Sequence, residues 1–225
     1  MDGTLRLYDP GNGRLEELPP GPLHIHVRGP GLRAFVIADL LRRVAGRRRR
    51  RVRVTCSGPF PEVRALADFN VLEMEAGETA SAQVVVAEGD ESNAIQPNTA
   101  RLLLVPAFEP PPADEDPMTL RLAILHTAYR DPLPWSERLA DARARLDRWR
   151  ALMAEWAESP GRPMDRTYAA DAERALTDDL DSPAALAVLE GLAADPAVAP
   201  GAKFETFVHL DLVLALDLVR DIGHR

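Results

Sequence analysis

The sequence predicts an α/β chain: a reduced parallel-sheet domain over residues 1–108, a Pro-rich linker at 109–117, and an all-α helical bundle over 118–225. Three observations carry this reading. Strand, Gly-rich turn, helix and strand follow one another between Leu23 and Cys56, within the roughly 35 residues of a βαβ unit, which implies parallel strands and a right-handed crossover. Residues 106–117 hold five prolines and four acids, the composition of a boundary. Beyond them Leu139, Ala142, Leu146, Trp149, Met153 and Trp156 recur at steps of 3, 4, 3, 4 and 3, a helix–helix seam.

Taken in order, Leu5–Tyr8 alternates apolar and polar residues and Asp9-Pro10-Gly11-Asn12-Gly13 is turn chemistry, so a short hairpin opens the chain. Leu23–Arg28 is a strand of strict period two. After Gly29-Pro30-Gly31, a helical pattern runs through Leu32, Phe35, Val36, Leu40 and Val44, and Val52–Cys56 is the next strand. Gln83–Ala87 and Leu102–Val105 are continuous apolar runs, which read as central parallel strands. The remaining helices are expected at 118–130, 135–158, 164–177, 183–194 and 203–221. Ser136 is expected to cap the second of these, the third begins near Asp165, and Ser182 before Pro183 makes a cap-then-first-turn pair for the fourth.

Charge divides unevenly. Residues 1–108 carry 14 Arg and 13 acids, a net of +1, whereas residues 109–225 carry 13 basic residues and 22 acids, a net of −9. Ten Arg lie in residues 28–53 against the single acid Asp39, and Lys203 is the only lysine of the chain. So strong a bias to Arg fits a GC-rich coding sequence as well as a function. One cysteine, Cys56, excludes an internal disulfide framework and a multi-cysteine zinc cage. No run approaches the ~20 apolar residues of a membrane span, and Met1-Asp2-Gly3-Thr4 has no apolar signal region, so a cytoplasmic protein with no membrane partner is expected.

Candidate chemistry lies in the first half. His24, His26 and Arg28 share one strand face, and Arg51, Arg53 and Thr55 share one on the next strand. That polar sheet face, taken with Cys56 at the strand end, meets a partner, lines a wet cleft, or is a solvated edge. Cys56 is also a conceivable third ligand beside His24 and His26, but no CxxC, HxxxH or HExxH accompanies them, so no metal is assigned. Gly29 and Gly31, flanked by Arg28 and Arg33, occupy the strand-to-helix position where backbone N–H groups and the helix dipole favour an anion or nucleotide. Pro30 removes one of those donors, and the loop is neither GxGxxG nor a P-loop. Arg47, Arg48, Arg49 and Arg50, continued by Arg51, would suit a phosphate backbone if presented together, although no aromatic interleaves them. No catalytic residue is assigned.

Beyond these patterns, the chain resembles the cysteinyl-tRNA synthetase family of class I aminoacyl-tRNA synthetases, which also includes cysteine–sugar ligases of thiol biosynthesis. Asp116–Leu133 is similar to the family's segment joining catalytic domain and bundle, and Trp135–Trp149 to its next long helix. Leu176-Thr177-Asp178-Asp179-Leu180-Asp181-Ser182-Pro183-Ala184-Ala185-Leu186 is similar to its DDLxTPxAL run, and Gly201–Leu218 to the ending of one bacterial subgroup. Leu5–Tyr8, Leu23–Gly29 and Leu32–Arg43 resemble the opening of its Rossmann-type catalytic domain, more thinly.

The resemblance implies a reduced Rossmann-like domain, and its departures imply lost chemistry. The family's zinc-binding Cys stands in a V-C-G triplet, here Val27-Arg28-Gly29; its HIGH-type signature belongs between Gly29 and Leu32, where only Pro30-Gly31 stands. Its Lys-Met-Ser-Lys-Ser-type loop belongs before Asp116, in a Pro-rich segment without Lys. Positive groups at the β,γ-phosphates stabilise amino-acid activation. The expectation is therefore a truncated, degenerate paralog: a pseudoenzyme acting as a binding or accessory subunit of a protein partner, as a hetero- or homo-oligomer. It uses no cofactor; ATP enters only if activity survives, and zinc is not expected. The alternatives are a tRNA-binding protein without aminoacylation, with no DNA partner, or a residual nucleotide-dependent cysteine or amino-acid ligase.

Overall fold

The computed structural model describes residues 4–57, 66–89, 100–107 and 114–223. The first part of the expected linker, residues 109–113, lies outside the described residues.

The opening hairpin forms as β1 (Arg6–Asp9) and β2 (Arg14–Glu17), closed by a turn in which Gly13 N–H donates to Asp9 O at 2.8 Å. The main sheet comprises β3 (Leu23–Arg28), β4 (Val52–Ser57), β5 (Glu75–Ala76), β6 (Val84–Glu88) and β7 (Arg101–Val105). Its order is β5-β4-β3-β6-β7, and every pair is parallel. The chain thus fills one side of β3 with β4 and β5 and returns to the other side with β6 and β7. The order reverses between β3 and β6, so the crevice beyond their carboxyl ends is the topological switch point.

Helix α1 (Leu32–Arg47) packs on β3, β4 and β6. The sheet face beneath it is apolar, with Leu23, Ile25, Val27, Val84, Val86, Leu103 and Val105 all buried. Strand β6 is interior, as its apolar run predicts. Strand β7 is not; it is the last strand of the sheet, and the expectation of a central position is corrected. Its apolar character reflects the hairpin packed beside it, with Arg101 reaching Asp9 and Glu16 at 2.6 Å each.

Five helices follow the sheet: α2 (Pro117–Leu125), α3 (Trp135–Trp156), α4 (Arg166–Thr177), α5 (Ser182–Ala194) and α6 (Pro200–Leu214). Helix α4 is capped by Asp165, whose carboxylate accepts from Thr167 and Tyr168 N–H. Two other expected caps shift. Pro134, not Ser136, stands at the cap of α3, and Asp181 caps α5 by accepting from Ala184 N–H at 3.0 Å. Ser182 becomes the first helical residue, since a carboxylate one position earlier reaches the same free N–H groups. Helix α6 stops at Leu214 rather than 221. Ala215 turns left-handed at φ 56°, and the Asp211 carboxylate accepts from Leu216 N–H at 2.7 Å and Leu218 N–H at 3.0 Å. Burial pushes the Asp211 carboxyl up.

Sheet and helices meet at a buried ion pair. Arg121 on α2 and Asp39 on α1 are both fully buried, 2.8 Å apart. Arg121 also donates to Leu214 O at 2.7 Å and Phe69 O at 2.8 Å, while Asp39 accepts from Arg42 at 2.6 Å and Arg43 at 2.8 Å. Burial alone would raise the Asp39 carboxyl; Arg121, Arg43 and Arg42 outweigh it and hold the group below its ordinary value. Within the helical layer the α3 seam closes on α6, with Phe207 meeting Trp149 and Trp156 edge-on at 5.5 and 5.3 Å between ring centroids. Among the described residues no helix is long and apolar enough to cross a membrane.

Candidate functional site

The side of the sheet away from α1 differs in kind. Register places His24 opposite Arg53, His26 opposite Thr55, and Arg28 opposite Ser57. Because side chains alternate, these six residues share one face, continued on β6 and β7 by Val85, Ala87, Leu102 and Leu104. His26 and Thr55 are buried, His24 and Arg28 half-buried, and Ser57 and Arg53 exposed. The segment after β5 covers part of the face. A Cβ at Gly77 would lie 2.9 Å from the Thr55 side chain, so only glycine lets this segment approach so closely.

A continuous hydrogen-bonded row runs along that face. Ser81 Oγ is 3.0 Å from His24 Nδ1, His24 Nε2 is 2.8 Å from Thr55 Oγ1, Thr55 Oγ1 is 2.9 Å from His26 Nδ1, and His26 Nε2 is 3.0 Å from Ser57 Oγ. Burial, with smaller contributions from Arg28 and His24, lowers the His26 pKa and favours the neutral ring. Arg28 donates to Thr79 Oγ1 at 3.3 Å. Arg53 pairs with Glu75 at 2.9 Å on the exposed rim.

Cys56 does not belong to this face, which corrects its expected grouping with His24 and His26. It is the register partner of Val27, so its Sγ points to the α1 side, buried and 3.8 Å from Glu75 O. Burial pushes its thiol up, away from nucleophile behaviour. Arg51 precedes β4, is exposed, and offers its carbonyl to Leu23 N–H at 2.8 Å.

At the switch point, Gly29-Pro30-Gly31 leads into α1 with Gly29 at φ 101°. Gly31 is the cap of α1, and no side chain of its own and no acid in the first turn serves the helix end. The Glu88 carboxylate from the end of β6 lies against Gly31 instead; a Cβ at Gly31 would collide with it. A negative group of the chain itself thus occupies the ground where an external anion would approach. Arg33 faces inward. Fully buried, it donates to Asp131 O at 2.6 Å and Ala128 O at 2.8 Å, and burial lowers its pKa to about 10. It clamps the start of α1 to the segment between α2 and α3.

The arginine run sits at the opposite end of the sheet. Arg47, Arg48, Arg49, Arg50 and Arg51 line one open depression of about 1310 Å³ together with Thr4, Leu5, Glu17, Leu18, Pro20, Gly21 and Pro22. Arg50 is braced on Gly21 O and Pro19 O at 2.8 Å each, and Arg47 on His209, donating to Nδ1 at 3.0 Å and O at 2.8 Å. Arg49 turns the chain at φ 58°.

The Asp178–Ser182 run is a fastener. Asp178 pairs with Arg6 at 2.9 Å, and Asp179 accepts from Tyr8 N–H at 2.7 Å, Tyr129 O–H at 2.8 Å and Arg130 at 2.7 Å. The run therefore ties the helices to β1 rather than contributing to the crevice.

Sequence reasoning assigned no role to Ser57, Ser81 and Glu88. Ser57 was legible by parity, two residues beyond Thr55 on the same strand. Ser81 and Glu88 gave no signal, because only the sheet order brings them to His24 and Gly31.

No protein-family model matches the chain. It is similar to enzymes named L-cysteine:1D-myo-inositol 2-amino-2-deoxy-alpha-D-glucopyranoside ligase. That of Thermobispora bispora is 42% identical over 92 residues, 39% of this chain and 22% of the relative. That of Xylanimonas cellulosilytica is 39% identical over 108 residues, 47% and 25% respectively, and that of Streptomyces griseus 44% over 80 residues, 35% and 19%. The matched part therefore spans about a quarter or less of these relatives' length. The similarity falls in the cysteine–sugar ligase branch of the synthetase-like proteins that the sequence resembles, and the parallel sheet followed by helices agrees with it.

Proposed function

We propose that this chain is a synthetase-like module that does not carry out nucleotide-dependent activation and acts as a binding or accessory subunit of a protein partner. One observation carries the reading: the Glu88 carboxylate is seated against Gly31, at the start of α1. The carboxylate atoms fill the space beside Gly31, so a phosphate approaching that helix end would have to displace them. Arg33, the cation nearest in sequence to that helix end, has donors committed to two carbonyls, which supports the same conclusion. The polar row from Ser81 to Ser57, partly open at the carboxyl end of β4, offers a partner hydrogen-bonding groups on an otherwise apolar sheet face. The residues around that helix end do not suit a nucleoside triphosphate.

Cysteine-dependent exchange of pyrophosphate into ATP is expected to be undetectable with the purified chain. The native mass from gentle purification is expected to exceed that of the 225-residue monomer by a stoichiometric protein. Clear exchange with cysteine would favour a working ligase of the kind its relatives are named for, and a bare monomer would remove the accessory role.

A second reading, tRNA binding without aminoacylation, has its own support in the five arginines sharing one depression. None of the described residues that line it is aromatic, which favours phosphate contacts over base stacking. If this reading holds, total tRNA is retained on filters at low salt and released steeply as salt rises, with a slope of about −0.7 to −0.9 per phosphate neutralised. Replacing Arg49 and Arg51 by glutamine then reduces the slope by about 2. Retention that ignores both salt and these substitutions would dispose of it.

A further inference from the structure

The row Ser81–His24–Thr55–His26–Ser57 joins a buried imidazole to an exposed hydroxyl. A neutral imidazole carries one N–H and one lone pair, and Thr55 has a single hydroxyl proton to share between two rings 2.8 and 2.9 Å away. Three arrangements satisfy every link, because Thr55 Oγ1 can donate to either ring or accept from both. In two of them His26 Nδ1–H donates to Thr55, and His26 Nε2 is left to accept from Ser57 Oγ at 3.0 Å. That is the constellation of an exposed hydroxyl, a buried base, and a hydroxyl that fixes the base's tautomer. His26 is fully buried, whereas Ser57 is exposed at the carboxyl end of β4. Arg28, cross-strand partner of Ser57, adds a half-buried guanidinium on the same face.

We propose that Ser57 and His26 form a nucleophile–base pair acting on activated acyl compounds, esters or thioesters of an acid that carries a further negative charge, with Thr55 and His24 as positioning residues and Arg28 supplying the countercharge. Ser57 Oγ forms a bond to the acyl carbon while its proton passes to His26 Nε2. The bond from that carbon to the leaving oxygen or sulfur breaks, and the leaving group takes the proton from His26. Water then attacks the Ser57 ester by the same route, returning the proton to Ser57 and releasing the acid. No nucleotide takes part, so the proposal is independent of the missing activation chemistry, although it uses the polar row that the accessory reading offers to a partner.

The test treats the full chain with a fluorophosphonate, an electrophile that phosphonylates activated serines and releases fluoride, and maps the product by mass spectrometry. Ser57 is expected to be modified at least about 100-fold faster in the folded chain than in the same chain unfolded in urea, the lower end of what a positioned general base contributes. Ser57→Ala, at an exposed position, is expected to keep the circular dichroism spectrum and lose the modification. His26→Asn is expected to slow it by about the same 100-fold. Should His26→Asn fail to fold, the folded-against-unfolded comparison on the unaltered chain still decides. With p-nitrophenyl esters, the hemisuccinate is expected to be cleaved faster than the acetate, and Arg28→Gln to erase that preference. Modification at Ser57 no faster than in urea, or a label on other residues only, overturns the proposal.

Discussion

Replacing Arg121 with methionine is expected to lower the unfolding free energy by about 3 kcal/mol, the lower end of the cost of breaking a buried ion pair. Arg121 and Asp39 are both fully buried, so the lone carboxylate is left without its main counterion and two carbonyls, Leu214 O and Phe69 O, lose their donor. Arg42 and Arg43 still reach Asp39, which is why the lower end of the range applies. The double variant Asp39→Asn with Arg121→Met should recover part of that loss, since it removes the uncompensated charge. Urea unfolding at neutral pH measures both. A loss of under about 1 kcal/mol for Arg121→Met would mean that the pair does not join α1 to the helices as described.

The same pair sets a pH dependence. The Asp39 carboxyl is held below its unfolded value of about 3.9, so its contribution is complete above that value. The contribution is lost as pH falls through the lower folded value, so this pair weakens on the acid side only. With Arg121 replaced, that acid-side loss shrinks, because the lowered pKa depends on the arginine.

Phe207→Ala is expected to cost about 3–5 kcal/mol. The ring is fully buried and meets Trp149 and Trp156 edge-on, so truncation removes its transfer energy and leaves a cavity between α3 and α6 that two indoles cannot easily fill. Leu212→Ala on the same helix provides the contrast. At 59% exposure Leu212 packs against little, and the change should stay within about 0.5 kcal/mol. Comparable losses at the two positions would contradict the placement of the α3–α6 seam.

The helices were legible because their signals are local. The step of 3 and 4 from Leu139 to Trp156 marks the buried stripe of α3, and Asp165 announces α4 by a carboxylate within reach of two free N–H groups. Period two likewise located β3 and β4, whose apolar residues meet α1. Element ends were less legible. The end of α6 depends on Asp211 capturing two amides beyond it, and the start of α5 on which of Asp181 and Ser182 reaches first. Such choices lie within a few residues and differ by about 1 kcal/mol, too little to read from residue type alone.

The candidate site was half legible. Alternation put His24, His26 and Arg28 on one face, and it could have put Cys56 on the other had the register with β3 been known. Strand parity is a property of one strand; which face of a neighbour it matches is a property of the pair.

By itself, then, the sequence determined what depends on residues close along the chain: the βαβ unit, the helical second half, and the polar stripe on β3. The tertiary structure alone decided what depends on sheet order and register. It brought Ser57 and Ser81 to the two ends of the histidine row, turned Arg33 inward, gathered Arg47–Arg51 around one depression, and set Glu88 against Gly31 from 57 residues away. The physical reason is that hydrogen-bond and charge pairing act over a few ångströms in space, and only closing the sheet converts distant positions into neighbours at that range.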